Sequence, residues 1–188
     1  MNKLYVIGIG PGEYEQMTLK AIHAMEKSEV IIGYTVYVDL VKEHFPGKEF
    51  LTTPMKKEVD RCVMAFEEAK KGKVVSMICS GDAGVYGMSG LMYEVGVNYP
   101  EVELEIIPGV TAATGGAAVL GAPLIHDFCL ISLSDLLTPW EKIEARLLAA
   151  AEADFVVCLY NPSSRKRSDY LQKACDLMMQ YKSPETVC

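Results

Sequence analysis

The chain has 188 residues, long enough for one large domain or two small ones. Eighteen Lys and Arg against 25 Asp and Glu leave a formal charge of −7, which disfavours a nucleic-acid backbone or an anionic bilayer as partner. Half the residues are apolar, and 15 Gly with 9 Pro is ordinary for a globular protein, so disordered and collagen-like classes are excluded.

Met1-Asn2-Lys3 leads straight into a strand-like run, Leu4 to Ile9, rather than into the longer apolar stretch of a secretory leader. A cytoplasmic protein is therefore expected. The turn after that run, Gly8-Ile9-Gly10-Pro11-Gly12, invites comparison with a dinucleotide fingerprint. That fingerprint needs free amides at a helix start, and Pro11 has no amide hydrogen to offer. The second strand, Val30 to Ile32, runs into Gly33-Tyr34 without the acidic residue that would hold a ribose. The turn is better read as a backbone-lined pocket wall, with Gly10 in it.

Val59, Cys62, Val63, Phe66 and Ala69 recur at three and four, which predicts an amphipathic helix. A strand from Lys73 to Cys79 follows, and then Ser80-Gly-Asp-Ala-Gly-Val-Tyr-Gly87. A lone carboxylate among glycines at a strand's carboxyl end is where ligands bind in α/β sheets. The same residues equally describe an Asx-type turn in which Asp82 caps the next helix. Leu104 to Ile107 is the next strand, and Ile107-Pro-Gly-Val-Thr-Ala-Ala113 repeats the small-residue geometry.

Ala113 to Pro123 is a small-residue tract, read as a tightly packed helix leading into a domain junction. The stretch Gly115 to Ile125 is well short of the ~20 residues of a spanning helix. Domains are expected at residues 1–117 and 118–188. In the second, strands run from Phe128 to Leu133 and from Phe155 to Leu159. Thr138-Pro139-Trp140-Glu141 reads as a capping box with proline at the first helical position. Leu171, Ala174, Cys175, Met178 and Tyr181 form a last apolar stripe, and Arg165-Lys166-Arg167 sits at the expected start of that helix. Acids rather than bases suit a helix start, so the triplet reads as a carboxylate clamp. Glu185 to Cys188 resembles the beginning of a strand, so the second domain is expected to be cut short. Strands alternating with helices predict an α/β fold with largely parallel sheets.

Cysteines at 62, 79, 129, 158, 175 and 188 form no C-x-x-C pair and read as buried thiols of a reducing compartment. Three histidines are too few for a metal site, and no metal is expected. His23 and His44 lie in polar helical contexts. His126, beside Asp127, is either an acid–base group or the holder of a structural hydrogen bond. No Ser-His-Asp set follows from spacing.

Taken together, Val6 to Gly12, Gly33-Tyr34-Thr35, Ser80 to Met88, Ile107 to Ala112, Leu120 to Trp140 and Tyr160 to Arg165 resemble the S-adenosylmethionine-dependent tetrapyrrole methylases of corrin biosynthesis. The resemblance spans the chain and is strongest to members that methylate C17 of precorrin-3B or cobalt-precorrin-3 with ring contraction. It implies two α/β domains with S-adenosylmethionine in the cleft between them, S-adenosylhomocysteine as product, and a homodimer. Pro11, Ser80, Gly81, Asp82, Val85, Thr111 and Ala112 fall where relatives contact the cofactor, and Tyr160 and Asn161 match the contact from the second domain. Thr35 stands where some members carry an aspartate, so that proposed base does not transfer. Asp82, His126, Asp127 and Ser132 are the candidates for proton movements, and Gly10, Arg165 and Arg167 for the carboxylate-rich tetrapyrrole. Methylation of another tetrapyrrole carbon or of diphthine, or cofactor binding without chemistry, are the alternatives.

Overall fold

Runs such as Val30-Ile-Ile and Val75-Ser-Met-Ile-Cys79 are apolar on both faces, the pattern of strands buried in a parallel sheet. The computed structural model, which describes residues 2–188, forms five such strands in its first compact unit, residues 1–115. They are β1 (Asn2–Gly8), β2 (Val30–Tyr34), β3 (Glu49–Thr53), β4 (Val75–Cys79) and β5 (Val102–Ile107). The sheet order is β3-β2-β4-β1-β5, and all pairs are parallel.

Alternate side chains along each strand enter two cores. Leu4, Val6, Ile32, Met77 and Val102 pack with Cys62, Phe66 and Met92. Ile7, Ile9, Ile31, Ile78 and Ile107 pack with Ile22, Met25, Val38 and Phe45. The partners come from the helices α1 (Leu19–Lys27), α2 (Thr35–Val41), α3 (Glu58–Lys70) and α4 (Ser89–Gly96), except Phe45, which follows α2. Thr18 caps α1 by accepting from the Ala21 amide at 3.2 Å.

α5 (Ala112–Val119) occupies the small-residue tract. The second unit, residues 116–188, holds β6 (Phe128–Ser132), α6 (Trp140–Glu152), β7 (Val156–Tyr160) and α7 (Tyr170–Met178). β6 and β7 pair in parallel, and one core of Ile131, Leu133, Ile143, Leu147 and Ala174 joins them to α6 and α7.

The structure departs from the sequence reading in several places. β3 was not expected: Phe50 and Leu51 are only half-buried, and the strand owes its existence to pairing along the edge of β2. The buried face of α3 is Arg61, Cys62, Ala65, Phe66 and Ala69, while Val59 and Val63 face solvent. The face is turned by about one residue because Cys62, Phe66 and Ala69 must all meet the sheet.

Pro139 is the N-cap of α6 rather than its first helical residue, and Thr138 makes no cap. The Pro139 carbonyl accepts from the Lys142 amide at 3.0 Å, which starts the helix one residue later than expected. α7 begins at Tyr170, so Arg165 to Arg167 precede the helix. They lie in a turn that the Arg167 amide closes onto the Ser164 carbonyl at 3.0 Å. On α7, Leu171 is exposed and Ala174 carries the burial, and Tyr181 lies beyond the helix and is exposed. Residues 185–188 form no strand, because an extended segment becomes one only when a neighbour accepts its hydrogen bonds. Among the described residues, no helix is long and apolar enough to cross a membrane, and no cluster of His, Cys, Asp and Glu could hold a metal ion.

Candidate cofactor site

The loops leaving β4, β1 and β5 emerge side by side at the carboxyl edge of the sheet, the place where parallel α/β sheets bind ligands. Their backbones are locked together. Gly10 and Gly81 exchange amide-to-carbonyl hydrogen bonds of 3.0 and 2.8 Å, and the Ile9 amide donates to the Cys79 carbonyl at 2.9 Å. Gly10 and Gly81 both have φ near +67°, a left-handed conformation that glycine adopts without strain. Gly8 and Gly109 are required for a different reason. A Cβ on Gly8 would lie 2.8 Å from the Gly109 nitrogen, and one on Gly109 would collide with the carbonyl oxygens of Gly81 and Gly8.

Asp82 ties this cluster together. Its Oδ1 accepts from the amides of Gly84 at 2.7 Å and Val85 at 3.0 Å, and its Oδ2 accepts from the Gly109 amide at 3.0 Å. The first two bonds shape its own loop, and the third reaches the loop after β5. Asp82 does not cap the following helix. Ser89 instead fixes the start of α4, donating from its amide and its Oγ to the Ala83 carbonyl at 3.0 and 2.6 Å.

Pro11, Ser80, Gly81, Asp82, Val85, Thr111 and Ala112 therefore belong to one bonded cluster of loops. Pro11 and Ser80 are exposed, and an added Cβ on Gly81 would approach the Ala112 amide no closer than 3.7 Å. Several of the amides that could have met a phosphate are already taken. The amides of Gly84, Val85 and Gly109 are spent on a carboxylate, that of Gly10 on a carbonyl, and Pro11 has none. A neutral nucleoside attached to a sulfonium meets small side chains, backbone and a carboxylate, all compatible with its charge. The donor set thus fits an S-adenosyl group and opposes a dinucleotide.

The residues singled out in the second unit divide into two places. Ser132 and Tyr160 end β6 and β7 and are register partners. Asn161, in a left-handed conformation with φ of 51°, donates from Nδ2 to Ser132 Oγ at 3.0 Å. Ser132 Oγ also accepts from the Ser134 amide at 3.2 Å. Arg167 donates to the Leu133 carbonyl at 3.1 Å, lies 3.6 Å from an Asp135 oxygen and covers the Tyr170 ring. It is an internal brace of this end of the sheet, whereas Arg165 is exposed.

His126 and Asp127 lie at the other end of β6. With roughly 3.3 Å per residue along the strand, they are about 15–20 Å from Ser132. The structure therefore does not assemble His126, Asp127 and Ser132 into one catalytic group. His126 is exposed, and the Asp154 carboxyl is held below its usual value chiefly by a hydrogen bond from the Lys182 ammonium. Burial pushes the Cys62 and Cys79 thiols up to about 11 and raises those of Cys129 and Cys158, which disfavours these four as nucleophiles.

Sequence reading missed Arg61. It is 4 % exposed, donates from Nε to Thr53 Oγ1 at 2.8 Å and from Nη2 to the Pro54 carbonyl at 3.3 Å, and lies over the Tyr34 ring. Tyr34 and Thr53 end β2 and β3, so the guanidinium sits at the same carboxyl edge as the glycine cluster. The signal was available, since Arg61 precedes the buried Ala65 and Ala69 by four and eight residues.

The sequence profile of the family "Tetrapyrrole (Corrin/Porphyrin) Methylases" matches residues 3–188. The chain is 52% identical over 184 residues to a probable cobalt-factor III C(17)-methyltransferase of Salmonella typhimurium, spanning 97% of this chain and 76% of that protein. It is 49% identical over 190 residues to a cobalt-factor III methyltransferase of Priestia megaterium, covering 98% of this chain but 35% of that longer protein. A crystal structure of the methyltransferase CobJ superposes with a TM-score of 0.86 at 36% identity, over 96% of this chain and 77% of that one.

Proposed function

The chain belongs to the tetrapyrrole (corrin/porphyrin) methylases, and from that premise we propose that it is an S-adenosylmethionine-dependent methyltransferase of cobalamin biosynthesis. Its substrate is the precorrin-3B-type tetrapyrrole in its cobalt-bearing form, methylated at C17 with contraction of the ring. The observation that carries this reading is the 52% identity, extending over both units, to a relative named for that position and that metal-bearing substrate. The protein acts as a cytoplasmic homodimer, the state that the family resemblance implies.

When bound, S-adenosylmethionine supplies an electrophilic methyl group on a sulfonium. Transfer to a ring carbon then asks the protein for alignment and exclusion of water more than for a strong base. Gly8 and Gly109 let three loop backbones close without side chains between them, which leaves a rigid floor. Pro11, Ser80, Gly81, Val85, Thr111 and Ala112 line the cofactor on that floor. Asp82 is a positioning residue: with three amides on its two oxygens, it sets the loops rather than carrying a proton. Ser132 Oγ accepts two hydrogen bonds and keeps its own proton for a ligand acceptor, which makes it the better-placed proton donor of the candidate set.

The test is methyl transfer from trideuteromethyl S-adenosylmethionine to the cobalt tetrapyrrole, followed by mass spectrometry and by NMR to locate the new methyl. A single labelled methyl at C17 is expected. Labelling only of the metal-free tetrapyrrole would reassign the substrate. Binding of S-adenosylhomocysteine with no labelling of either would leave a cofactor-binding domain without this chemistry.

A further inference from the structure

Arg61 is a buried cation without an acid. Only 4 % of it is exposed, yet no carboxylate pairs with it among the described residues. The acids near it in sequence are engaged elsewhere: Glu58 accepts from the Lys56 amide at 3.2 Å, and Asp60 pairs with Lys57 at 2.9 Å. Arg61 spends Nε on Thr53 and one Nη2 hydrogen on Pro54, both neutral acceptors, and its face on Tyr34. Both hydrogens of Nη1 are left over, as is the second of Nη2. Burying a guanidinium this far costs solvation that neutral acceptors only partly restore, so a cation kept here without an acid is a group waiting for one.

Its place in the fold says where that acid comes from. Thr53 and Tyr34 hold the guanidinium at the carboxyl ends of β3 and β2, and β2 is the neighbour of β4, whose following loop is Ser80 to Asp82. Strands about 4.8 Å apart put Arg61 within roughly 5–10 Å, along the sheet edge, of the glycine cluster. The two contacts that fix Arg61 also aim it. Nε and Nη2 face the protein, so Nη1 is turned away from the end of β3.

We infer that Arg61 is a binding residue for a ligand carboxylate, held ready by Thr53, Pro54 and Tyr34 and completed only when that ligand arrives. This rests on the function proposed above, which provides two sources of carboxylate: the acid side chains of the tetrapyrrole and the aminoacyl end of the cofactor. The chemistry is the same, two N–H donors meeting two carboxylate oxygens, and the ligands can be separated experimentally.

The experiment is calorimetric titration of the parent chain, Arg61→Gln and Arg61→Lys with three probes. These are the cobalt tetrapyrrole, S-adenosylhomocysteine, and 5′-methylthioadenosine, which keeps the nucleoside and thioether but has no carboxylate. We expect Arg61→Gln to weaken the tetrapyrrole by tenfold to a hundredfold and to leave both nucleosides within about twofold, with Arg61→Lys intermediate. Loss confined to S-adenosylhomocysteine, with 5′-methylthioadenosine unaffected, would support the assignment and place the carboxylate on the cofactor. Unchanged affinity for every probe, or an equal loss that includes 5′-methylthioadenosine, would overturn it and leave Arg61 a clamp between α3 and β3. If Arg61→Gln fails to fold, Arg61→Lys decides, because it keeps the cation and most of the stem. A parent chain that binds no tetrapyrrole defeats the functional reading instead, and the two nucleosides still test Arg61.

Discussion

The two units solve the same problem, a parallel sheet under helices, with unequal resources. The first has five strands and a separate core on each side, and every residue of β4 is buried. The second has two strands and one core, and every residue of β7 is only half-buried. A parallel pair is weak unless both faces are covered, so the first unit is a rigid platform and the second a lighter element. The loop ends reflect this. At the first sheet, three glycine backbones touch and one carboxylate holds three amides. At the second, side chains do the bracing: Asn161 on Ser132, and Arg167 on the Leu133 carbonyl.

The largest expected effect breaks the stronger platform. Phe66 is 1 % exposed and stacks on Tyr99 with ring centroids 4.8 Å apart, so Phe66→Ala should cost about 3–5 kcal/mol, read as a shift in urea midpoint. Gly109→Ala should cost about 3 kcal/mol, since its Cβ meets backbone that cannot turn aside, and it should abolish S-adenosylhomocysteine binding in calorimetry. An alanine there that binds normally would show that the loops are not a fixed floor.

Asp82→Asn is the finer probe. Asparagine can keep the Gly84 and Val85 amides on its oxygen, but its NH₂ then faces the Gly109 amide, donor to donor. The expected cost is about 2 kcal/mol with a drop in cofactor affinity near tenfold, measured by urea titration and calorimetry.

The smallest effect is one of pH at the β5 edge. Hydrogen bonds from Lys20 first, and then Lys3, hold the Glu105 carboxyl down at about 2, below its unfolded value near 4.5. A lowered folded pKa stabilises above the unfolded value and is lost as pH falls towards the folded one. The difference in Tm between the parent and Glu105→Gln should therefore be constant above pH 5 and shrink between pH 4.5 and 2. A difference that persists unchanged at pH 2 would remove those ion pairs from the account.

Much of this was legible in the sequence because it is periodic or punctuated. Val30-Ile-Ile and Val75 to Cys79 announce buried strands, and the glycine turns at 8–12, 80–87 and 108–109 announce the site. What was not legible depends on partners distant in sequence. β3 needs β2 beside it, and the third bond of Asp82 goes to an amide 27 residues away. The buried face of α3 is decided by the sheet, so a charged residue on an otherwise apolar stripe looked like ordinary surface. In the second unit, Arg165 to Arg167 were assigned to a helix that starts three residues later, because turn closure by Ser164 leaves no periodic trace.

The central claim is that the carboxyl edge of the first unit is built for an S-adenosyl group and against a dinucleotide. Titrating S-adenosylhomocysteine and NAD separately into the unaltered chain in a calorimeter tests this most directly. The account predicts saturable binding of S-adenosylhomocysteine and no heat from NAD, because the amides of Gly10, Gly81, Gly84, Val85 and Gly109 are already bonded within the loops and Pro11 has none. Binding of NAD without binding of S-adenosylhomocysteine would contradict it.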